Sequence, residues 1–162
     1  MAVLPKRFNR YGLTIHPEKT RLVNFRNPSS NKEATKGAGT FDYLGFTHYW
    51  AKSRKGKWIV KRKTSGKKLK LKITAIWDWC KHNRHISVRE QQQMLNSKLI
   101  GHYLYYGIRG NYKFLEVYYE AVEKAWKRWL GRRSQTGFIN YEDFRKFLKR
   151  YPLAKPRIIH AV

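Results

Sequence analysis

Acidic residues are scarce in this sequence. Of 162 residues only 10 are Asp or Glu, against 36 Lys and Arg, for a formal net charge of +26. A surface of balanced charge is excluded, and a compact chain with this field repels itself and draws polyanions. Aspartate occurs three times, at Asp42, Asp78 and Asp143. Two-metal chemistry needs carboxylates held close together. Only Asp143 has an acidic neighbour, Glu142, and that pair falls in the first turn of an expected helix, where acids complement the dipole. No metal-dependent catalytic site is legible. Cysteine occurs once, at Cys80, which excludes an internal disulfide and a multi-cysteine zinc site. Cys80, His82 and His85 lack a fourth ligand nearby, and Cys80 falls on an apolar helix face. Long apolar runs are missing, so no membrane span is expected. The basic start "MAVLPKRFNRYG" has no apolar stretch of the signal-peptide kind. A cytoplasmic protein is the expectation. No glycine-rich phosphate loop is present, and no serine sits in a nucleophile elbow.

Apolar residues make up 41% of the chain and aromatic residues 15%, enough for a packed core and too many for a disordered basic tail. Residues 1–12 read as a helix end stopped at Gly12. Leu13 with Ile15, and Leu22, Val23 with Phe25, alternate as two short strands about a proline turn. "RNPSSNKEATKGAG" is a polar loop. "TFDYLGFTHYWA" reads as strand, bend at Gly45, strand; "SRKG" is a turn and "KWIVKR" a further strand. Helical spacing then takes over. Leu69, Ile73, Ile76, Trp77 and Cys80 form one stripe behind a cap at Thr64 or Ser65. Ser87 and Glu90 form a capping box for a second helix, with Leu95, Leu99, Tyr103 and Tyr106 inward. Asn111 is expected to cap a third, with Phe114, Tyr118, Ala121, Val122, Ala125 and Trp129 inward and Gly131 as its stop. "NYED" opens a short fourth helix, ended by Pro152 and followed by an extended tail. The fold class is therefore α+β: a small antiparallel β piece over about 12–62, then a helical bundle over about 64–150. The apolar stripes are needed for that core, so membrane-surface binding through a free apolar face is set aside.

The basic residues are informative by position. Arg62, Lys63, Lys67, Lys68, Lys70 and Lys72 crowd the start of a helix, where cations oppose the macrodipole by about 0.3–1 kcal/mol each. A phosphate backbone compensates that arrangement. Trp79 projects on the same side, either stacking on a base or covering the helix. Glu116, Glu120 and Glu123 occupy the outer face of the third helix, with favourable spacing to Lys124 and Lys127, so the positive field is one-sided. In "GHYLYYGIRGNYKF", Tyr103 and Tyr106 fall on the inner stripe. Lys98, His102 and Tyr105 point away from its centre, Arg109 sits at the tip of a turn, and Lys113 begins the next helix.

These strings carry a resemblance. "GLTIHPEKTRLV" followed by "GTFDYLGFTHYW" resembles the last two reverse-transcriptase blocks of group II intron-encoded proteins. "SRKGKWIVKRKTSGKKL", "WCKHNRH" and "GHYLYYGIRGNYKF" resemble the thumb of that family, its maturase or X domain. "WKRWLGRRS" and "PRIIH" are similar to its bacterial members. The motifs follow in order over nearly the whole chain.

The resemblance implies a palm remnant over 1–47 with a primer-grip-like hairpin (Phe41, Asp42, Tyr43, Leu44, Gly45, Phe46). It implies a β connection over 48–63, a three-helix thumb over 64–133, and a C-terminal helix and tail over 134–162. Lys19 matches a palm lysine near the incoming nucleotide, an auxiliary to proton transfer. The RNA-binding set is Arg62, Lys63, Lys67, Lys68, Lys72, Arg84, Lys98, His102, Tyr105, Arg109, Lys113, Arg132 and Arg133. Full-length members are RNA-directed DNA polymerases that also help their intron RNA to splice, with Mg at the polymerase site. The Tyr-x-Asp-Asp block and an earlier catalytic aspartate are absent here, so no cofactor is expected in this chain, and alone it is expected to be an inactive fragment of a bacterial enzyme. The partners implied are intron RNA and template–primer duplex. One alternative is a subunit of a split reverse transcriptase completed by a separate fingers–palm chain; another is a generic basic RNA-binding protein.

Overall fold

The computed structural model describes residues 3–16, 20, 22–28, 39–134 and 137–160. Among them it is α+β, with a three-stranded antiparallel sheet and five helices. In chain order these are α1 (Val3–Asn9), β1 (Phe41–Tyr43), β2 (Phe46–Lys52), β3 (Trp58–Thr64), α2 (Gly66–His82), α3 (Val88–Tyr106), α4 (Tyr112–Leu130) and α5 (Tyr141–Arg150). The sheet order is β1-β2-β3. The chain packs as two units, one of residues 1–41 and 48–61, the other of residues 42–47 and 62–162.

In the first unit, α1 buries no residue and ends through Gly12 at φ +67°. An aromatic cluster holds the rest: the Phe25 ring meets Phe41 edge-on at 4.9 Å and stacks on Trp50 at 5.4 Å, and Phe41 stacks on His48 at 4.8 Å. The turn after β2 closes through Ser53 and Lys57, with Gly56 at φ +76°. The strands expected at Leu13–Ile15 and Leu22–Phe25 are not formed; both segments are irregular. Alternation marks a surface that fits a sheet, but a strand also needs a neighbour for its N–H and C=O groups, and among the described residues β1, β2 and β3 pair only with each other.

The second unit is built on α2, α3 and α4. Thr64, just before α2, hydrogen-bonds Asn111, just before α4. The two helices therefore start at the same end and pack directly on each other, and α3 is the return that joins them in the chain. Leu69, Ile76 and Cys80 of α2, Leu95, Leu99, Tyr103 and Tyr106 of α3, and Leu115, Tyr118, Val122, Ala125, Trp126 and Leu130 of α4 fill the core. The α4 face differs from expectation: Leu115, Trp126 and Leu130 are buried, whereas Phe114 and Trp129 are only half-buried. The reason is that α4 packs on α2, α3 and α5 together, so its apolar face is wider than one stripe. Phe144 and Phe147 of α5 meet the Trp126 ring at 6.4 and 5.0 Å.

The caps divide. Ser87 and Glu90 form the expected capping box. Asn111 does not cap α4 with its side chain. Fully buried, it instead accepts from the Thr64 N–H (2.9 Å) and donates to the Thr64 hydroxyl and the Tyr106 carbonyl (2.8 Å each). A side chain with three buried partners pays more in stability there than at a solvent-facing helix end. The tail after α5 is extended and strapped along α3. Asn96 accepts from the Ala154 N–H and donates to the Pro152 carbonyl, Gln92 donates to the same carbonyl, and Tyr103 donates to the Ala154 carbonyl.

Candidate nucleic-acid interface

At the starting end of α2 and α4, a polar frame fixes the hairpin of residues 42–47. Leu44 and Gly45 both have positive φ, 47° and 77°, as a two-residue I′ hairpin turn requires. The Gly45 carbonyl accepts from the Ser65 N–H (2.9 Å), and the Leu44 carbonyl from the Tyr105 hydroxyl (2.8 Å). A Cβ on Gly45 would stand 2.7 Å from the Tyr106 hydroxyl. Phe46 stacks on Tyr105 at 6.0 Å and tilts against Tyr106 at 5.2 Å. Asp42 accepts from the hydroxyls of Thr47 and Ser65.

Asp42 also alters the electrostatic picture of α2. The first turn of the helix contains no acid and Ser65 gives no side-chain cap, as the crowding of lysines suggested. The strand neighbour supplies the missing carboxylate through Ser65, where negative charge suits the dipole. The lysines are therefore not left wholly uncompensated.

Around this frame lie most of the expected RNA-binding residues. Arg62, Lys67 and Lys68 are exposed and Lys63 is half-buried. The Thr64–Asn111 pair brings them to the end that carries Arg109 and Lys113, both exposed. Tyr105 keeps half its surface open beside them. The strap adds two cations that sequence reasoning missed. The Ile159 and His160 N–H groups donate to the Gly107 carbonyl and the Arg109 N–H to the His160 carbonyl, which carries exposed Lys155 and Arg157 to this end of the bundle. Their only sequence signal was charge in a tail.

Three expected contacts are corrected. Lys72 is half-buried with its ammonium 5.1 Å from the Tyr106 ring centre, and burial lowers its pKa. His102 is 1% exposed, stacked at 3.9 Å on Tyr118 and 4.7 Å from Tyr106. Burial, with the Lys72 charge adding to it, pushes its pKa down to about 3. A 19-residue helix packed by neighbours on more than one side has a buried arc wide enough to take His102 along with the Leu99–Tyr103 stripe. Arg133 turns inward, donating to the carbonyls of Arg84 and Ile86, which makes it a brace of the α2–α3 turn.

The remaining candidates lie elsewhere. Lys98 is exposed with its ammonium 5.5 Å from the Trp79 ring centre, so Trp79 covers the helix and is itself covered. Arg84 is half-buried and donates to the Lys81 carbonyl at 2.9 Å. Arg132 is exposed over the Trp129 ring at 5.4 Å. Arg84, Arg132 and Arg133 belong to the opposite end of the bundle, about 28 Å away along a helix of this length. Phe41 of the hairpin expectation sits in the aromatic cluster of the first unit. Lys19 lies outside the described residues.

No family model, curated protein or solved structure matches this chain. Among the described residues no group of three or more His, Cys, Asp or Glu is placed to hold a metal ion: Asp42 is at the hairpin, Asp78 on α2 and Asp143 on α5. These residues do not fit the Mg site of a complete polymerase. Burial pushes the Cys80 thiol up to about 12, against the pull of the Lys98 charge, so it is not a nucleophile at neutral pH. No described helix is long and apolar enough to cross a membrane. On the outer face of α4, Glu120 pairs with Lys124 at 3.6 Å. The expected Glu123–Lys127 pair is not formed: Lys127 lies over the Tyr141 ring at 5.1 Å.

Proposed function

We propose that this chain binds structured RNA without catalysis, through the end of the bundle where α2 and α4 begin. The observation that carries the reading is the convergence of Arg62, Lys67, Lys68, Arg109 and Lys113 on one rigid frame in a chain of net charge +26. Cations fixed in this way meet phosphates at small entropic cost, and Tyr105 offers a ring beside them. The resemblance to the thumb of group II intron reverse transcriptases supports the same reading and narrows the ligand to intron RNA and template–primer duplex. On that reading the natural role is assistance to splicing, in a cytoplasmic, nucleic-acid-associated bacterial protein.

The test is RNA affinity as a function of salt. Neutralising about six phosphates gives a log–log slope near −5 on a duplex. Lys67→Glu with Lys68→Glu removes two exposed contacts and should flatten that slope by about 2, with a melting temperature no lower than that of wild type, because acids suit the first turn of a helix. An affinity indifferent to salt, or to the double substitution, would remove this end of the bundle as the interface. Completion of a split polymerase is the second reading. Leu22 and Leu13 of the first unit are 82% and 55% exposed, as a segment that awaits a partner would be. Primer extension on mixing with a fingers–palm polypeptide decides that reading.

A further inference from the structure

The opposite end of the bundle holds a cavity of about 780 Å³, within the range of small-ligand sites. Trp77 of α2 forms one wall, the last two turns of α4 supply Lys124, Lys127 and Arg128, and the residues beyond add Arg132 and Phe138. No acid lines it. The loop is pinched where Gly131 and Gly137 meet: a Cβ on Gly137 would stand 2.6 Å from the Gly131 carbonyl oxygen and 2.8 Å from the Ser134 hydroxyl. Phe138 follows directly and is 87% exposed, the most exposed large apolar residue described. Three of the cations have partners: Lys124 is paired with Glu120, Lys127 lies over Tyr141 and Arg132 over Trp129. Arg128 is exposed and makes no such contact among the described residues.

We propose that this cavity receives one unstacked nucleotide of an RNA strand, its base against Phe138 and Trp77 and its phosphate on Arg128 and Arg132. An aromatic plane bordered by guanidinium groups is the arrangement that takes a splayed base. An acidic peptide would satisfy the cations and leave the rings unused. A duplex would satisfy the cations and hide its base faces. Trp77 is nine residues beyond Lys68 on α2, about 14 Å along the axis, so the pocket is a second site. It rests on the RNA-binding reading, and it adds a preference for unpaired nucleotides that a basic face does not provide.

The experiment compares a labelled perfect RNA duplex with the same duplex carrying one bulged adenosine, by fluorescence anisotropy, for wild type, Phe138→Ala and Arg128→Gln. Both substituted side chains are exposed, and matching melting curves show that the fold is kept. Wild type should prefer the bulged duplex about tenfold. Phe138→Ala should abolish the preference and Arg128→Gln reduce it, with perfect-duplex affinity changed less than twofold. Equal binding of both duplexes by wild type overturns the pocket and leaves the basic end of the bundle standing. A preference that survives Phe138→Ala also overturns it. Binding of the bulged duplex alone supports the pocket and removes the duplex face. Binding of neither overturns both.

Discussion

His102 makes stability depend on pH in a calculable way. Its ring is sealed between Tyr118 and Tyr106, and neither nitrogen has a hydrogen-bond partner. The groups facing it are Lys72 from α2, Tyr103 and Tyr106 from α3, and Tyr118 from α4. None is an acid that would welcome an imidazolium. Folded, the group titrates at about 3; unfolded, at about 6.5. Below pH 6.5 the unfolded chain therefore takes up a proton that the folded chain refuses. Folding loses stability as pH falls, by about 1.4 kcal/mol per unit until the folded pKa is reached. Between pH 7.5 and pH 5.0 the loss is about 2 kcal/mol. Urea melts of wild type and His102→Phe at both pH values isolate this contribution, because the other titrating groups are common to both proteins. The Phe ring keeps the stack and removes two unpartnered nitrogens. The variant should lack about 2 kcal/mol of the acid sensitivity of wild type. Identical pH dependence in the two proteins, or an NMR titration of His102 near pH 6.5, would refute the argument.

Two further substitutions separate braces from binding groups. Asn111→Ala strands the Thr64 N–H and hydroxyl and the Tyr106 carbonyl in the interior, and should cost about 3 kcal/mol in chemical denaturation. Arg133→Ala frees two carbonyls of the α2–α3 turn and should lower stability by about 1–3 kcal/mol while leaving the RNA salt slope alone. Arg109→Ala should do the reverse, with no change in the melt and a slope shallower by about 1.

Local signals in the sequence carried far. Ser87 and Glu90 announced the start of α3 because both halves of that motif lie within four residues. Gly45 marked the hairpin because only a few residues accept positive φ. The stripes named Leu69, Ile76, Cys80, Leu95 and Leu99 because a helix repeats its own period whatever it packs against. What stayed illegible was set by a second element. Gln91 is the clearest case. It reads as one of three polar glutamines, yet it is 3% exposed, accepts from the Trp126 indole and donates to the carbonyls around Asn83–Ile86. Asn111 and Arg133 are of the same kind, with partners 47 to 49 positions away. In the candidate interface the exposed lysines were legible from charge alone. Lys72 and His102 were not, because their exposure depends on which side of α2 and α3 the neighbouring helices and hairpin occupy.

The strap along α3 imposes a schedule on synthesis. Gln92 and Asn96 find their partners at Pro152 and Ala154, 56 to 60 positions later in the chain. At ~5–20 residues per second a ribosome needs about 3–12 s to make that stretch, whereas helices form in about a microsecond. The side of α3 that Leu153 will seal therefore stays open to water for seconds on every nascent copy. Its polar residues at 92 and 96 keep that waiting surface from being a purely greasy one.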